Sequence, residues 1–203
     1  ITMRIKFLAG FIFLTSYSFA QNTDSLLEVQ WKSALKKLDA GDYNDASVQF
    51  TQLINSDFSN KEIYVKRGIA HYHLKNYAKA KSDFDDAVKA RINSAELFEY
   101  RGNTKYNLSE YEGAATDLDK AVSMGAKQYE TFVNLGNAKF RMENYREAIA
   151  NYDRATTTGK ADAVLLNNRG KAKFNLQDYK NAIADFDKAL EVNSSYDKAI
   201  ENR

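Results

Sequence analysis

Two histidines and three recurring Asp-x-Asp pairs are the side chains of this sequence whose spacing could suggest a metal site. His71 and His73 are the only histidines of the 203-residue chain. On a helix, residues two apart point about 200° apart, so these two cannot share one ion. The acidic pairs fit a solvated helix surface better than a calcium site, because no glycine-bearing loop accompanies them. They are Asp83-x-Asp85, Asp117-x-Asp119 and Asp185-x-Asp187. We therefore expect no metal and no cofactor.

The chain has few of the side chains that covalent or acid–base catalysis requires. It contains no cysteine, which excludes thiolate nucleophiles, disulfides and thiolate metal sites. It has no glycine-rich phosphate loop and no Gly-x-Ser-x-Gly nucleophile elbow. Two histidines leave few groups that titrate near neutral pH. These observations predict a protein that is not an enzyme.

The charge balance gives no reason to expect binding to nucleic acid. The chain carries 29 basic and 27 acidic residues. Arg4 and Lys6 lie in an N-terminal segment that we expect to be removed, and without them 27 basic residues stand against 27 acidic ones. A chain without net charge lacks the attraction to phosphate backbones and anionic membranes that basic proteins show.

The first twenty residues have the pattern of a secretory signal peptide. A basic stretch begins at Met3, the expected initiator, residues 7–14 are mainly apolar, and residues 18–20 read Ser-Phe-Ala. Eight apolar residues span about 12 Å as a helix, too short for the roughly 30 Å core of a bilayer. We predict a signal at 1–20, no membrane span after its removal, and a periplasmic or extracellular protein of the bacterial envelope.

The rest of the chain repeats with a period of 34 residues. Several residue columns keep this period in phase over the whole segment, which indicates a repeat architecture. The columns include Gly68, Gly102, Gly136 and Gly170; Tyr43, Tyr77, Tyr111, Tyr145 and Tyr179; and Ala46, Ala80, Ala114, Ala148 and Ala182. Within an array at 21–203, the expected repeats are about 27–60, 61–94, 95–128, 129–162 and 163–196, with a partial copy at 197–203.

Each period predicts two amphipathic helices joined by a short turn. In the period 95–128, Gly102 and Ala114 are small at the positions where the two helices must approach closely. Gly125 and Gly159 stand where a helix should end, and glycine takes the left-handed conformation there at low cost. One hairpin cannot bury its apolar face alone, so stacked copies would build a continuous core.

The spacing Gly-x8-Tyr-x2-Ala-x3-Phe-x2-Ala resembles the tetratricopeptide repeat (TPR), and the resemblance covers about 27–203. It implies an all-α fold, a right-handed α-solenoid of about five helical hairpins plus the start of a sixth. The sequence departs from the family three residues after the glycine column, where an aromatic residue is usual. That position holds His71, Lys105, Lys139 and Lys173.

Two charged columns change together from repeat to repeat. In three repeats an arginine precedes the glycine and an aspartate follows sixteen residues later. The three pairs are Arg67 with Asp83, Arg101 with Asp117, and Arg169 with Asp185. The fourth repeat has Leu135 and Asn151 instead, so it lacks both charges together. We predict that each Arg–Asp pair joins the two helices of one repeat.

The columns opposite the core stripe of each first helix are the candidate binding surface. In TPR proteins, which this chain resembles, these columns line a concave groove. Asparagine offers both a donor and an acceptor, so a row of asparagines can hold an extended peptide backbone. We predict that a protein or an extended peptide binds here, and not nucleic acid. The candidate groove residues are Lys66, Ile69, His73, Tyr100, Asn103, Asn107, Asn134, Asn137, Arg141, Asn168, Lys171 and Asn175.

The carboxylate clamp with which some TPR proteins bind chaperone tails is not predicted here. Its pattern of Lys, Asn, Asn, Lys and Arg corresponds to Val133, Asn137, Asn168, Lys198 and Asn202, which match at three positions of five. Export would also separate the protein from cytosolic chaperones.

Two functions remain open at the level of the sequence. The first is a non-catalytic protein–protein interaction scaffold of the cell envelope that binds its partner in the concave groove. The alternative is the TPR arm of a longer protein whose C-terminal enzymatic or cell-wall-binding domain follows residue 203.

Overall fold

Helices form the regular structure of the computed structural model, which describes residues 25–159 and 161–203. They are α1 (25–39), α2 (Tyr43–Asn55), α3 (Glu62–His73), α4 (Tyr77–Lys89), α5 (Ala95–Asn107), α6 (Tyr111–Ser123), α7 (Tyr129–Arg141), α8 (Tyr145–Thr158), α9 (Ala163–Asn175), α10 (Tyr179–Val192) and α11 (Asp197–Asn202). The expected all-α fold is confirmed. None of the described helices is long and apolar enough to cross a membrane. The signal peptide predicted for 1–20 lies outside the described residues.

The described residues fall into two compact units, one ending at Asn76 and the other beginning at Tyr77. In the described part of the first unit, α2 packs against α3. Trp31 is buried on α1, with its ring centroid 5.5 Å from that of Phe50 and 5.6 Å from that of Phe58. These three aromatic side chains are central to the core of this unit.

The second unit is a stack of helical hairpins. Helix α5 pairs with α6, α7 with α8, and α9 with α10, and consecutive hairpins also pack together through α6 with α7 and α8 with α9. Helix α11 packs on both α9 and α10. This arrangement is the α-solenoid that the repeat period predicted, with α11 as the beginning of a further hairpin.

The glycine column lets the two helices of a hairpin approach closely. A Cβ atom on Gly102 would lie 2.7 Å from the Leu118 side chain, and one on Gly136 would lie 2.6 Å from the Tyr152 ring. Leu118 and Tyr152 are buried and have little room to move aside. The packing role predicted for Gly102 is confirmed, because a larger side chain there would force the helices apart.

The turn inside each hairpin places one residue in the left-handed backbone region. This residue stands two positions before the tyrosine column, and its φ lies between 59° and 81° in every copy. Only the first copy uses glycine, so the other turns carry the steric cost of a Cβ atom in this conformation. The residues are Gly41, Lys75, Ser109, Glu143 and Gln177.

The two glycines expected to end second helices behave differently. Gly125 follows α6 with φ 102°, in the left-handed region as predicted. Gly159 follows the end of α8 as predicted, but the left-handed conformation expected there is wrong, because Gly159 has φ −155° and ψ 178°. Helix α8 has 14 residues where α6 has 13, so the chain leaves α8 one residue later and in an extended conformation. The Cβ position of Gly159 lies 3.0 Å from the half-buried Tyr129 ring, so a larger residue would require that ring to shift slightly.

Candidate partner-binding groove

The first helices of the repeats in the second unit, α5, α7 and α9, lie side by side. Helix α7 contacts both α5 and α9, whereas α6, α8 and α10 make no comparable contacts with one another in the described residues. The row of first helices is therefore the closely packed inner side of the stack. We call its surface the inner groove, and it contains the candidate residues Tyr100, Asn103, Asn107, Asn134, Asn137, Arg141, Asn168, Lys171 and Asn175.

Asparagine side chains connect neighbouring helices of the inner groove. Asn134 Nδ2 donates to Asn103 Oδ1 at 3.0 Å, and Asn168 Nδ2 donates to Asn137 Oδ1 at 3.1 Å. Each bond joins one repeat to the next. Part of the hydrogen-bonding capacity expected to hold a peptide is thus used between helices, where it fixes their spacing. Only the remaining donors and acceptors are open to a partner.

Two other groove asparagines lie exposed near the C-terminal ends of their helices. Asn107 Nδ2 donates to the backbone carbonyl of Asn103, and Asn175 Nδ2 donates to that of Lys171, both at 2.8 Å. Their side-chain oxygens stay accessible on the surface of α5 and α9. Tyr100 is half-buried and Asn103 is buried, so these two residues contribute mainly to packing.

Three candidate residues, Lys66, Ile69 and His73, lie on α3 in the first unit. Ile69 is only 5% exposed and is a packing residue rather than an open contact. The His73 ring stacks on Tyr43 at a centroid distance of 4.3 Å, and burial lowers the pKa of its imidazole. Lys66 is half-buried. Across 25–159 and 161–203, no three His, Asp or Glu side chains are grouped so that they could hold a metal ion.

A pocket of about 140 Å³ opens in the inner groove where α5, α7 and α9 meet. Four of the candidate residues meet in it, together with three aromatic residues that the sequence analysis did not select. We call it the Arg141 pocket, and its lining residues are Tyr106, Asn137, Phe140, Arg141, Tyr152, Asn168 and Lys171. The repeat period itself could have indicated two of the missed residues, because Tyr106 and Phe140 occupy one aromatic column.

Both cations of the Arg141 pocket lie near aromatic rings. Arg141 Cζ is 5.7 Å from the Tyr111 ring centroid, and Lys171 Nζ is 5.7 Å from the Phe140 ring centroid. Such contacts stabilise a positive charge only modestly at an exposed site. Burial raises the pKa of the Tyr106 phenol, and the adjacent Arg141 guanidinium opposes that rise. Burial also raises the pKa of the Tyr152 phenol, so both phenols remain neutral hydrogen-bonding groups at physiological pH.

The structure brings two of the three Arg–Asp pairs together within one repeat. Arg101 donates to Asp117 from Nε at 2.8 Å and from Nη2 at 2.7 Å. Arg169 donates to Asp185 in the same two-pronged manner, at 2.8 and 2.6 Å. Arg67 donates to Thr51 Oγ1 at 3.1 Å. Its expected partner Asp83 belongs to the other unit, so that pairing stays a prediction.

Each of these aspartates also forms an ion pair with a lysine of its own repeat. Lys105 Nζ lies 2.7 Å from Asp117, and Lys173 Nζ lies 2.7 Å from Asp185. Burial by itself would raise the pKa of Asp185, but hydrogen bonds from Arg169 and Lys173 outweigh it and lower that pKa. These lysines occupy the position where the TPR family usually has an aromatic residue, so the departure noted in the sequence has an electrostatic role.

The arginines also reach back to the preceding repeat, a contact that the sequence analysis missed. Arg101 Nη1 donates to Asp85 at 3.2 Å, and Arg169 Nη1 donates to Asp153 at 2.8 Å. The sequence carries a signal for these contacts, because Asp85, Asp119, Asp153 and Asp187 form one column with the 34-residue period. Each arginine therefore links its own hairpin to the one before it.

The fourth repeat replaces this network with uncharged residues and one lysine. Leu135 is fully buried, and Asn151 Nδ2 donates to the backbone carbonyl of Glu147 at 2.9 Å. Lys139 Nζ lies 3.0 Å from Asp119 of the preceding repeat and 2.7 Å from Glu147 of its own. One lysine thus makes both kinds of contact that the arginines make elsewhere.

Comparison with solved structures finds the same fold in proteins of low sequence identity. YrrB, described as a TPR protein with an unusual peptide-binding site, matches with a TM-score of 0.74 and 20% identity, over 83% of this chain and 87% of its own. MamA from Desulfovibrio magneticus RS-1 matches with a TM-score of 0.72 and 20% identity, over 84% and 97%. The C-terminal part of a TPR protein from Cytophaga hutchinsonii matches with a TM-score of 0.65 and 21% identity, over 80% and 64%. At these identities the likeness concerns the fold alone.

Sequence comparison gives the family directly. No curated protein matches the chain. Three family models, each described as the tetratricopeptide repeat, match residues 32–96, 129–158 and 163–196. Together these matches cover more than half of the sequence, and the last coincides with one expected repeat. The chain belongs to the tetratricopeptide-repeat family.

Proposed function

We propose that this protein is a non-catalytic interaction scaffold of the cell envelope that binds a protein or an extended peptide in the inner groove. The observation that carries this proposal is the Arg141 pocket, where two cations and an amide donor converge between α5, α7 and α9. An open groove that spans several repeats suits an elongated partner. The peptide-binding site named for YrrB, a protein of similar fold, supports the same interpretation.

The envelope location rests on the N-terminal sequence pattern. A basic start, an apolar block and small residues before position 21 are typical of an exported protein. N-terminal sequencing of the protein recovered from the periplasmic fraction tests this part of the proposal. A mature N-terminus at Gln21 would support export, whereas an intact N-terminus in the cytoplasmic fraction would refute it.

Site-specific photocrosslinking in cells tests the binding surface. The chain offers two matched sets of exposed positions at the same 34-residue spacing. One set, Asn107, Arg141 and Asn175, lies in the inner groove, and the other, Thr116, Ala150 and Ala184, lies on the second helices. We expect crosslinked partners from the first set and none from the second. Equal crosslinking from both sets, or crosslinking from the second set alone, would refute the inner groove as the binding surface.

The structure also decides which substitutions make a useful loss-of-binding variant. Asn134, Asn137 and Asn168 bond across the helices, so their replacement by alanine would disturb the groove itself. Arg141 and Lys171 are exposed, and neither has a carboxylate within 4 Å among the described residues. The variant Arg141→Gln with Lys171→Gln should therefore keep the fold and lose the crosslinks at Asn107 and Asn175.

A further inference from the structure

The Arg141 pocket presents positive charge that the described part of the protein does not neutralise. The charged side chains among its lining residues are Arg141 and Lys171, and no carboxylate lines the pocket. Other cations on the first helices are paired, as Lys105 is with Asp117 and Lys139 with Glu147. A guanidinium and an ammonium facing one small pocket favour a group with anionic oxygens.

The uncharged polar groups of the pocket add a further free donor. Asn137 Oδ1 accepts from Tyr152 Oη at 2.8 Å and from Asn168 Nδ2 at 3.1 Å, which uses both of its lone pairs. Among the described residues the Asn137 amide nitrogen donates no hydrogen bond, and Asn137 lines the pocket. An anionic oxygen placed between Arg141 and Lys171 would supply the acceptor that this amide lacks.

The size and position of the pocket limit which kinds of ligand can bind in it. About 140 Å³ accommodates a small polar group, since about 10–15 Å³ of such space is enough for one water molecule. The inner groove continues on both sides of the pocket, to exposed Asn107 on α5 and exposed Asn175 on α9. A bound chain can therefore pass through the pocket instead of ending in it.

We propose that the Arg141 pocket receives the side-chain carboxylate of an aspartate or glutamate within an extended peptide. This inference rests on the proposed function and names the chemistry that the inner groove recognises. Arg141 and Lys171 are the specificity-determining residues, and Asn137 positions the carboxylate through its free amide. These cations are not the positions of the chaperone-tail clamp, which would place its lysines and arginine at Val133, Lys198 and Asn202.

Defined peptides test this proposal by nuclear magnetic resonance on the full chain. The probes are seven-residue Gly/Ser peptides: one with a central glutamate and blocked ends, one with a central glutamine and blocked ends, and one with a central glutamine and a free C-terminal carboxylate. Side-chain signals of Asn137 and Arg141 report occupancy of the pocket. We expect the glutamate peptide to shift both signals saturably and to bind about three- to tenfold more tightly than either other peptide.

Variants and salt provide the controls. Arg141→Gln and Lys171→Gln should each weaken the glutamate peptide about threefold or more, and 0.5 M salt should weaken it as well. Lys180→Gln, an exposed charge on α10, should leave binding unchanged.

Three results would overturn the proposal, and each has a different consequence for the proposed function. Equal binding of glutamate and glutamine peptides would show that the groove binds peptides without reading charge. Tighter binding of the free C-terminal carboxylate would show that the pocket holds a chain end. A pocket that no peptide perturbs would refute carboxylate recognition, while the crosslinking contrast between the inner groove and the second helices would still decide the proposed function independently.

Discussion

The Arg101–Asp117 pair offers a direct test of the electrostatic network inside a repeat. Arg101 makes three hydrogen bonds to carboxylates, two to Asp117 and one to Asp85, and the Asp117 side chain is only 4% exposed. Arg101→Leu would leave Asp117 buried with Lys105 as its single cation. Removing one partner of a buried ion pair lowers the free energy of unfolding by about 3–5 kcal/mol. Because Lys105 remains beside Asp117, we expect Arg101→Leu to lower it by about 2–3 kcal/mol.

The fourth repeat supplies the natural replacement for both members of the pair. Arg101→Leu with Asp117→Asn installs the residues found at Leu135 and Asn151. Asp117→Asn alone should cost about 2–3 kcal/mol, because it leaves Arg101 and Lys105 close together without their shared anion. The double variant should cost about 1–2 kcal/mol less than the sum of the single variants.

Urea unfolding measures these free energies, with circular dichroism as the probe of the whole chain. Trp31, the single tryptophan, lies in the first unit, so its fluorescence reports that unit alone and tests whether unfolding is two-state. Lys81→Gln serves as the control, because it breaks an exposed ion pair with Glu110 and should change stability by less than about 0.5 kcal/mol. Single effects that add within about 0.3 kcal/mol would refute the coupled pair.

Three further perturbations test other parts of the structure. Gly136→Ala should destabilise the chain by about 1–3 kcal/mol in urea unfolding, because its Cβ would lie 2.6 Å from the buried Tyr152 ring. Gly113→Ala should cost less, because its Cβ would lie 3.2 Å from the nearest atom of Lys105, and equal losses would contradict the packing argument. Asp185 has a lowered pKa, so it stabilises the fold above its ordinary pKa of about 3.9 and loses that contribution as the pH falls through the lowered value. Asp185→Asn should therefore flatten the pH dependence of the unfolding free energy below about pH 4. The same pH dependence in the variant and the original protein would contradict this role of Asp185. Glu143→Gly should raise the thermal midpoint, with a gain of about 0.5 kcal/mol from relief of the left-handed turn, whereas Ala150→Gly inside α8 should cost about 1 kcal/mol; a loss at both positions would refute strain at the turn.

The sequence was most informative where one physical requirement recurs in every period. Close approach of two helices demands a small residue, so the glycine column predicted the close packing of the two helices at Gly102, where a Cβ atom would lie 2.7 Å from the Leu118 side chain. The Arg–Asp columns were visible for the same reason, because their joint loss in the fourth repeat links two positions sixteen residues apart. Two columns that change together can therefore be assigned to one contact.

Contacts between repeats were harder to predict, because they depend on the offset between neighbouring hairpins. The bond from Arg169 to Asp153 and the bond from Asn168 to Asn137 both depend on that offset. The left-handed turn residues share a conformation but no residue type, as Ser109 and Gln177 show, so composition did not reveal them. The same holds for Gly159, where one extra residue in α8 decides the backbone conformation.

Three ionic contacts between a first helix and the second helix before it share one direction along the chain. The cation lies on the first helix of the later repeat and the carboxylate on the second helix of the earlier one in Arg101 with Asp85, Lys139 with Asp119, and Arg169 with Asp153. Excision of residues 129–162 would bring Arg169 to Asp119 and leave the new junction with its charges matched. The array can therefore gain or lose whole periods by duplication or excision while these ion pairs between repeats are kept.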